Sequence, residues 1–245
     1  KVTRGQFGMT IQASWSGKDC DVSGIRKGLA ALARSLGMEI KIRFVEPGRR
    51  QRFALLVTRE THCLEAILAA VNKRRLKAEP VVVIGNHPDL APLARKHKLP
   101  FVHIPWHDRA KAEKRALNLL EQHEIDFVVL ARYMQVLSPT LVAQYPERII
   151  NIHHSFLPAF AGPRPYQQAF DRGVKLIGAT SHYVTDELDQ GPIIAQATLP
   201  VGHRDTVPDL VRKGRDLERV VLANAVRLHL EDKILVSQNK TIVFD

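Results

Sequence analysis

Phe127-Val-Val-Leu130 and, a little further on, Ile149-Ile-Asn-Ile152 are the runs whose reading decides the fold. Both are short and almost continuously apolar, so each reads as a strand buried on both faces rather than on one. The same texture recurs upstream in Phe53-Ala-Leu-Leu-Val57, Val81-Val-Val-Ile84 and Phe101 to Ile104. Segments with helical spacing separate the first four runs: Leu64 to Arg74, Asp89 to His97 and Arg109 to Glu124. Buried strands that alternate with helices require a parallel sheet covered by helices on each side. The predicted class is α/β, a Rossmann-like open, mostly parallel sheet with helices on both faces. Downstream, Ala179 to Val184 reads as a strand and Thr206 to Glu231 as the longest helix, with Thr206 as N-cap and Asp209 three residues on. Ile234 to Phe244 reads as a hairpin turning at Gln238-Asn239.

Before residue 48 the pattern differs. Gln6 to Trp15 reads as a strand, Ser23 to Leu36 as an amphipathic helix and Met38 to Val45 as a half-buried strand. Ile25, Leu29, Leu32, Ala33 and Leu36 form the helix's apolar stripe. Such a unit is small for an independent core. Pro47-Gly48-Arg49-Arg50 reads as a linker or turn. The 245 residues, 45% hydrophobic and 25% charged, fit one or two globular domains and argue against disorder. No apolar run reaches membrane-spanning length. Cys20 and Cys63 belong to no Cys-x-x-Cys pair, so a reducing, cytoplasmic setting is expected. The net charge is +11, of which residues 1–80 carry +9. No zinc-finger spacing or aromatic RNA-binding signature accompanies it, and neither a nucleic acid nor a membrane is expected as partner.

Ligands of an open parallel sheet sit outside the carboxyl ends of its strands, which singles out three segments. In Asn151-Ile-His153-His154-Ser-Phe-Leu-Pro158, an inward Ile152 leaves Asn151 and His153 on one face. An amide can donate to a developing oxyanion, and an imidazole can donate or carry a proton. Thr185-Asp186-Glu187-Leu188-Asp189-Gln190-Gly191-Pro192 offers three carboxylates. One of them beside His153 would favour its protonated form and fix its tautomer; spacing alone does not choose among them. Leu130-Ala-Arg132-Tyr133-Met134-Gln135-Val136-Leu137 combines apolar side chains with backbone amides that could clamp a flat heterocycle. Each segment also has a plain structural reading, as a capped strand end, a solvated turn and an ordinary strand-to-helix turn.

The first two motifs, in this order, resemble the formyltetrahydrofolate-dependent formyl-transfer and hydrolase superfamily, from about Arg52 to the C-terminus. The resemblance implies a formyltransferase-fold domain over 52–245 and a catalytic trio of Asn151, His153 and Asp189. It implies folate contacts at Leu130, Arg132, Met134, Val136 and Leu137, and at Thr185 and Asp186, which begin a loop closing on the folate. Nucleotide-accepting members carry a Gly- and Ser-containing phosphate loop after the domain's first strand. Here that place reads Thr58-Arg59-Glu60-Thr61-His62-Cys63-Leu64, without glycine and with a carboxylate that repels phosphate. Together with His153-His154-Ser-Phe-Leu-Pro, Arg164-Pro-Tyr and Gly178-Ala-Thr-Ser-His182-Tyr, it resembles the deformylase branch. The activity implied is hydrolysis of 10-formyltetrahydrofolate to formate and tetrahydrofolate, with water as acceptor. No cofactor beyond the folate and no metal is implied, and His153, His154 and His182 do not fall at His-x-x-x-His spacing. His154 should point to the opposite face from His153. His182 reads equally as support for the water or as a strand histidine. Residues 1–46 resemble the second half of an ACT-like regulatory domain, followed by a linker at 47–51. A complete ACT domain would take an amino-acid effector, and an unpaired sheet edge there predicts a homo-oligomer.

Overall fold

The computed structural model describes residues 2–3, 6–14, 20–46, 48–159 and 164–244. The chain divides into two compact units, Lys1–Gly8 with Arg50–Asp245, and Met9–Arg49. A short antiparallel ribbon, β1 (Val2–Thr3) and β2 (Gln6–Phe7), belongs to the first. The strand expected from Gln6 thus stops at Phe7, and its expected end, Trp15, lies outside the described residues, as does Pro47 of the linker.

The smaller unit contains α1 (Val22–Leu36). Asp21 caps it by accepting from the Gly24 N–H at 2.9 Å, and Gly37 closes it in the left-handed region at φ 61°. Its apolar stripe forms as expected but buries none of its side chains among the described residues. Met38–Val45 is not a strand. A strand needs a neighbour for its backbone groups, and the described residues of this unit supply none.

The larger unit is built on β3 (Gln51–Val57), β4 (Ala78–Gly85), β5 (Phe101–His103), β6 (Phe127–Ala131), β7 (Ile149–His153), β8 (Leu176–Tyr183) and β9 (Ile193–Pro200). They form one sheet in the order β5-β4-β3-β6-β7-β8-β9. β5 to β7 across that order are parallel; β8 and β9 are antiparallel additions. The chain leaves β3 toward β4 and β5 on one side and returns to β6 on the other.

Alternation along the strands explains their unbroken apolar runs. Phe53, Leu55 and Val57 of β3, Phe127 and Val129 of β6, and Ile150 and Ile152 of β7 face α2 (His62–Asn72) and the long C-terminal helix α7 (Val207–Leu230). Ala54, Leu56, Val128, Leu130 and Ile149 face the other way, with α4 (Arg109–Gln122) and α5 (Pro139–Gln144). Each of the larger side chains contributes about 1.5–3 kcal/mol by leaving water. The short α3 (Ala91–Lys96) and α6 (Pro165–Asp171) complete the helices. α5, α6 and β9 carry no periodic signal: two helices of six and seven residues have too few turns to show one. α7 starts as expected, with the Thr206 N–H donating to Asp209 Oδ2 at 3.0 Å. β10 (Ile234–Ser237) and β11 (Lys240–Val243) make the expected hairpin, with Gln238 in the left-handed region at φ 55°.

Candidate active site

β7 places Asn151 and His153 on the face opposite Ile150 and Ile152, as its alternation requires. Antiparallel pairing sets His182 of β8 directly across from Asn151. The Thr185–Gly191 loop brings Asp189 to this face. Asp189 Oδ2 lies 3.2 Å from His153 Nδ1, and Oδ1 lies 3.7 Å from His182 Nε2. His182 Nδ1 donates to the Tyr183 carbonyl at 2.8 Å, so its Nε2 accepts from Asn151 Nδ2 at 3.2 Å. One N–H of the Asn151 amide is then left for a ligand. His153 is only 5% exposed, and its Nε2 has no hydrogen-bond partner among the described residues. Burial works to raise the Asp189 pKa, but the His153 and His182 imidazoles beside it outweigh that and hold this carboxyl below the usual carboxylate range.

Two backbone features hold that loop. Asp189 sits in the left-handed region at φ 56°, which Asp tolerates better than most residues. Gly191 lies so close to β8 that a Cβ would overlap the Tyr183 carbonyl. From the C-terminal hairpin, Asn239 Nδ2 donates to the Gln190 carbonyl at 2.8 Å. Sequence reasoning missed this brace; its only trace is the turn itself.

The expected folate contacts divide. Met134 and Val136 are exposed, and the Met134 N–H donates to Thr58 Oγ1 at 2.9 Å. Thr185 and Asp186 lie at the start of the loop that carries Asp189, with the Thr185 hydroxyl donating to the Glu187 carbonyl at 3.3 Å. Leu130 and Leu137 are core residues instead, behind the turn. Arg132 leaves β6 at φ 63° and pairs through Nε with buried Glu218 of α7, at 3.4 Å. His62, Cys63 and Glu218 hold their ligand-type atoms within 4.8 Å of one another, a spacing that suits a metal ion. The adjacent guanidinium opposes a cation there, and burial pushes the Cys63 thiol well above its ordinary pKa.

The His154 ring lies 5.1 Å from that of His153 and 6.0 Å from that of Tyr166. Burial first, then the positive charge of Arg132, pulls its pKa down to about 3 from 6.5. The unfolded chain therefore takes a proton here before the folded protein does. The stabilisation is whole above pH 6.5 and is lost as pH falls through the window down to about 3. Between pH 7 and 4.5 the full shift is worth about 2.5 kcal/mol, and partial exposure reduces it to about 1 kcal/mol. Urea unfolding of His154→Leu should show an acid-limb loss smaller by that amount. An unchanged limb would mean that His154 accepts its proton within the fold.

A polar trio on a sheet face, held by an adjoining loop, is an acid–base and oxyanion arrangement of the kind acyl-group enzymes use. The formyl transferase family model matches residues 51–226, and the chain belongs to that family. It is 45% identical over 243 residues to a formyltetrahydrofolate deformylase of Bacillus subtilis, covering 98% of this chain and 80% of the relative. The crystal structure of a formyltetrahydrofolate deformylase from Pseudomonas syringae superposes with a TM-score of 0.85 at 45% identity, covering 93% of this chain and 76% of that one. A glycinamide ribonucleotide transformylase from Symbiobacterium toebii is more distant, at 31% identity and a TM-score of 0.77, over 84% of this chain and all of that one. These likenesses put the chain on the deformylase branch.

Proposed function

We propose that Asn151, His153 and Asp189 carry out hydrolysis of 10-formyltetrahydrofolate to formate and tetrahydrofolate. The observation that supports the reading is the joined set itself. Asp189 meets His153 Nδ1, Asn151 keeps an N–H to spare, and His153 Nε2 is buried without a partner among the described residues. A water oxygen bonds to the formyl carbon while Asp189 takes its proton. The formyl oxygen becomes anionic and accepts from the Asn151 amide and from His153 Nε2–H. The bond from carbon to N10 then breaks, N10 takes the proton of Nε2, and formic acid leaves and ionises. Asp189 then releases its proton to solvent and His153 Nε2 takes one back, which restores the site. The pterin would lie over the turn after β6, where Met134 and Val136 are exposed and Leu130 and Leu137 back them. Thr185 and Asp186 would border it from the loop.

The test is turnover of 10-formyltetrahydrofolate with no amine present, following both products, with Asp189→Asn alongside. The expected result is equal release of formate and tetrahydrofolate by the wild type and a rate lower by about 10² or more in the variant. Folate binding with no formate until an amine is added would overturn the choice of water as acceptor.

A further inference from the structure

The sheet order reverses between β3 and β6, and an open α/β sheet offers its ligand crevice beyond the carboxyl ends of the strands at such a point. In this protein the residues that follow those two strands meet one another there. His62, at the start of α2, and Arg132, directly after β6, both reach Glu218 of α7. His62 Nε2 lies 2.8 Å from Glu218 Oε2, and Arg132 Nε lies 3.4 Å from the same oxygen. Tyr166 of α6 donates its hydroxyl to Glu218 Oε1 at 2.7 Å. Gly214, one turn before Glu218, makes room for that ring: a Cβ there would overlap the Tyr166 ring and its oxygen. On the outer side Glu60 takes up Arg215 Nη2 at 2.8 Å and stands 3.6 Å from His62 Nδ1. Glu218 is 1% exposed and His62 is 3% exposed, so bulk solvent does not reach them.

This arrangement is expensive as mere filling. Taking a carboxylate out of water costs several kcal/mol unless it is fully paired, and apolar side chains of similar volume would fill the space at least as stably. It also adjoins the reacting groups: the His154 ring bridges from His153 to Tyr166. The proposed hydrolysis uses none of these four side chains. We infer that His62, Arg132, Tyr166 and Glu218 plug the switch-point crevice and bar every formyl acceptor larger than water. The inference rests on the hydrolytic reading above and names what makes it selective. With the plug opened, a primary amine could replace water: its nitrogen bonds to the formyl carbon, the bond to N10 breaks, and the amine's surplus proton passes to N10.

The test uses the whole chain with 10-formyltetrahydrofolate and glycinamide, measuring formate and N-formylglycinamide together. The wild type should give formate alone. In His62→Ala, Glu218 is still held by Arg132 and Tyr166, and the ratio of formylated amine to formate should rise by about tenfold or more. His62→Gln refills the volume, keeps a donor to Glu218 and should return the ratio to the wild-type value. A folded His62→Ala that makes formate with the wild-type ratio overturns the plug, as does a wild type that already formylates glycinamide. A wild type that releases no formate sinks the hydrolytic reading instead, so the two failures are distinct. Cys63 gives a measure that needs no variant, because it is buried beside His62. N-ethylmaleimide, mapped by mass spectrometry on the native protein, should modify Cys63 about a hundredfold more slowly than the partly exposed Cys20. Equal rates would mean that the crevice is open, and the plug would be rejected.

Discussion

Asn151→Ala is expected to lower the turnover of 10-formyltetrahydrofolate by about 10²–10³ while tetrahydrofolate still binds, because removing one oxyanion donor has that typical cost. The amide's position is set from two directions. The alternation of β7 points it to the same face as His153, and its Nδ2 donates to His182 Nε2 at 3.2 Å. That hydrogen bond leaves a second N–H unspent beside the buried, unpartnered Nε2 of His153. The variant also strips His182 of a donor in a site where that ring is only 2% exposed. An unmatched buried acceptor costs about 1–3 kcal/mol, so a modest fall in stability should accompany the rate loss. Single-turnover rates and tetrahydrofolate affinity separate the two effects. If the variant keeps more than about a tenth of the wild-type rate, the amide is not the oxyanion donor.

The second large effect is expected at a residue with no reactive group. Gly191→Ala should reduce turnover by about a hundredfold, as a displacement of the order of an ångström does to a catalytic group. A Cβ at this position would overlap the Tyr183 carbonyl and lie 3.3 Å from His182 Nδ1. The loop must then lift from β8, and Asp189, two residues earlier, loses its 3.2 Å contact with His153. Gly202→Ala is the matched control, since the nearest atom to a Cβ there is Asp205 Oδ2 at 3.6 Å, an ordinary contact. Thermal unfolding of both variants should show that Gly191→Ala remains folded. A wild-type rate in folded Gly191→Ala would show that the loop position does not set Asp189.

Burial on both faces leaves a local mark, and the five strands from Phe53 to Ile152 were legible for that reason. β8 and β9, with the helices α5 and α6, were less legible or silent. α5 and α6 are too short for a helical period, and the buried run of β8 is broken up by the polar Thr180, Ser181 and His182. Met38–Val45 shows the opposite failure. Its alternation has the period of a strand, yet no neighbouring strand is present among the described residues to complete the hydrogen bonds.

The α/β class, the parallel sheet, the cap of α7, the turn of the last hairpin and the shared face of Asn151 and His153 were determined by the sequence alone. All are properties of residues within a few positions of one another, where periodicity and capping act. The choice among Asp186, Glu187 and Asp189 was open on residue chemistry and rested on a family resemblance. Only the tertiary structure sets Asp189, at φ 56°, against both His153 and His182. Only it pairs Arg132, a residue expected at the folate, with Glu218 and joins His62 to that carboxylate across 156 residues of chain. Side-chain contacts of that range depend on how the layers stack, and no local pattern in the chain encodes the stacking distance.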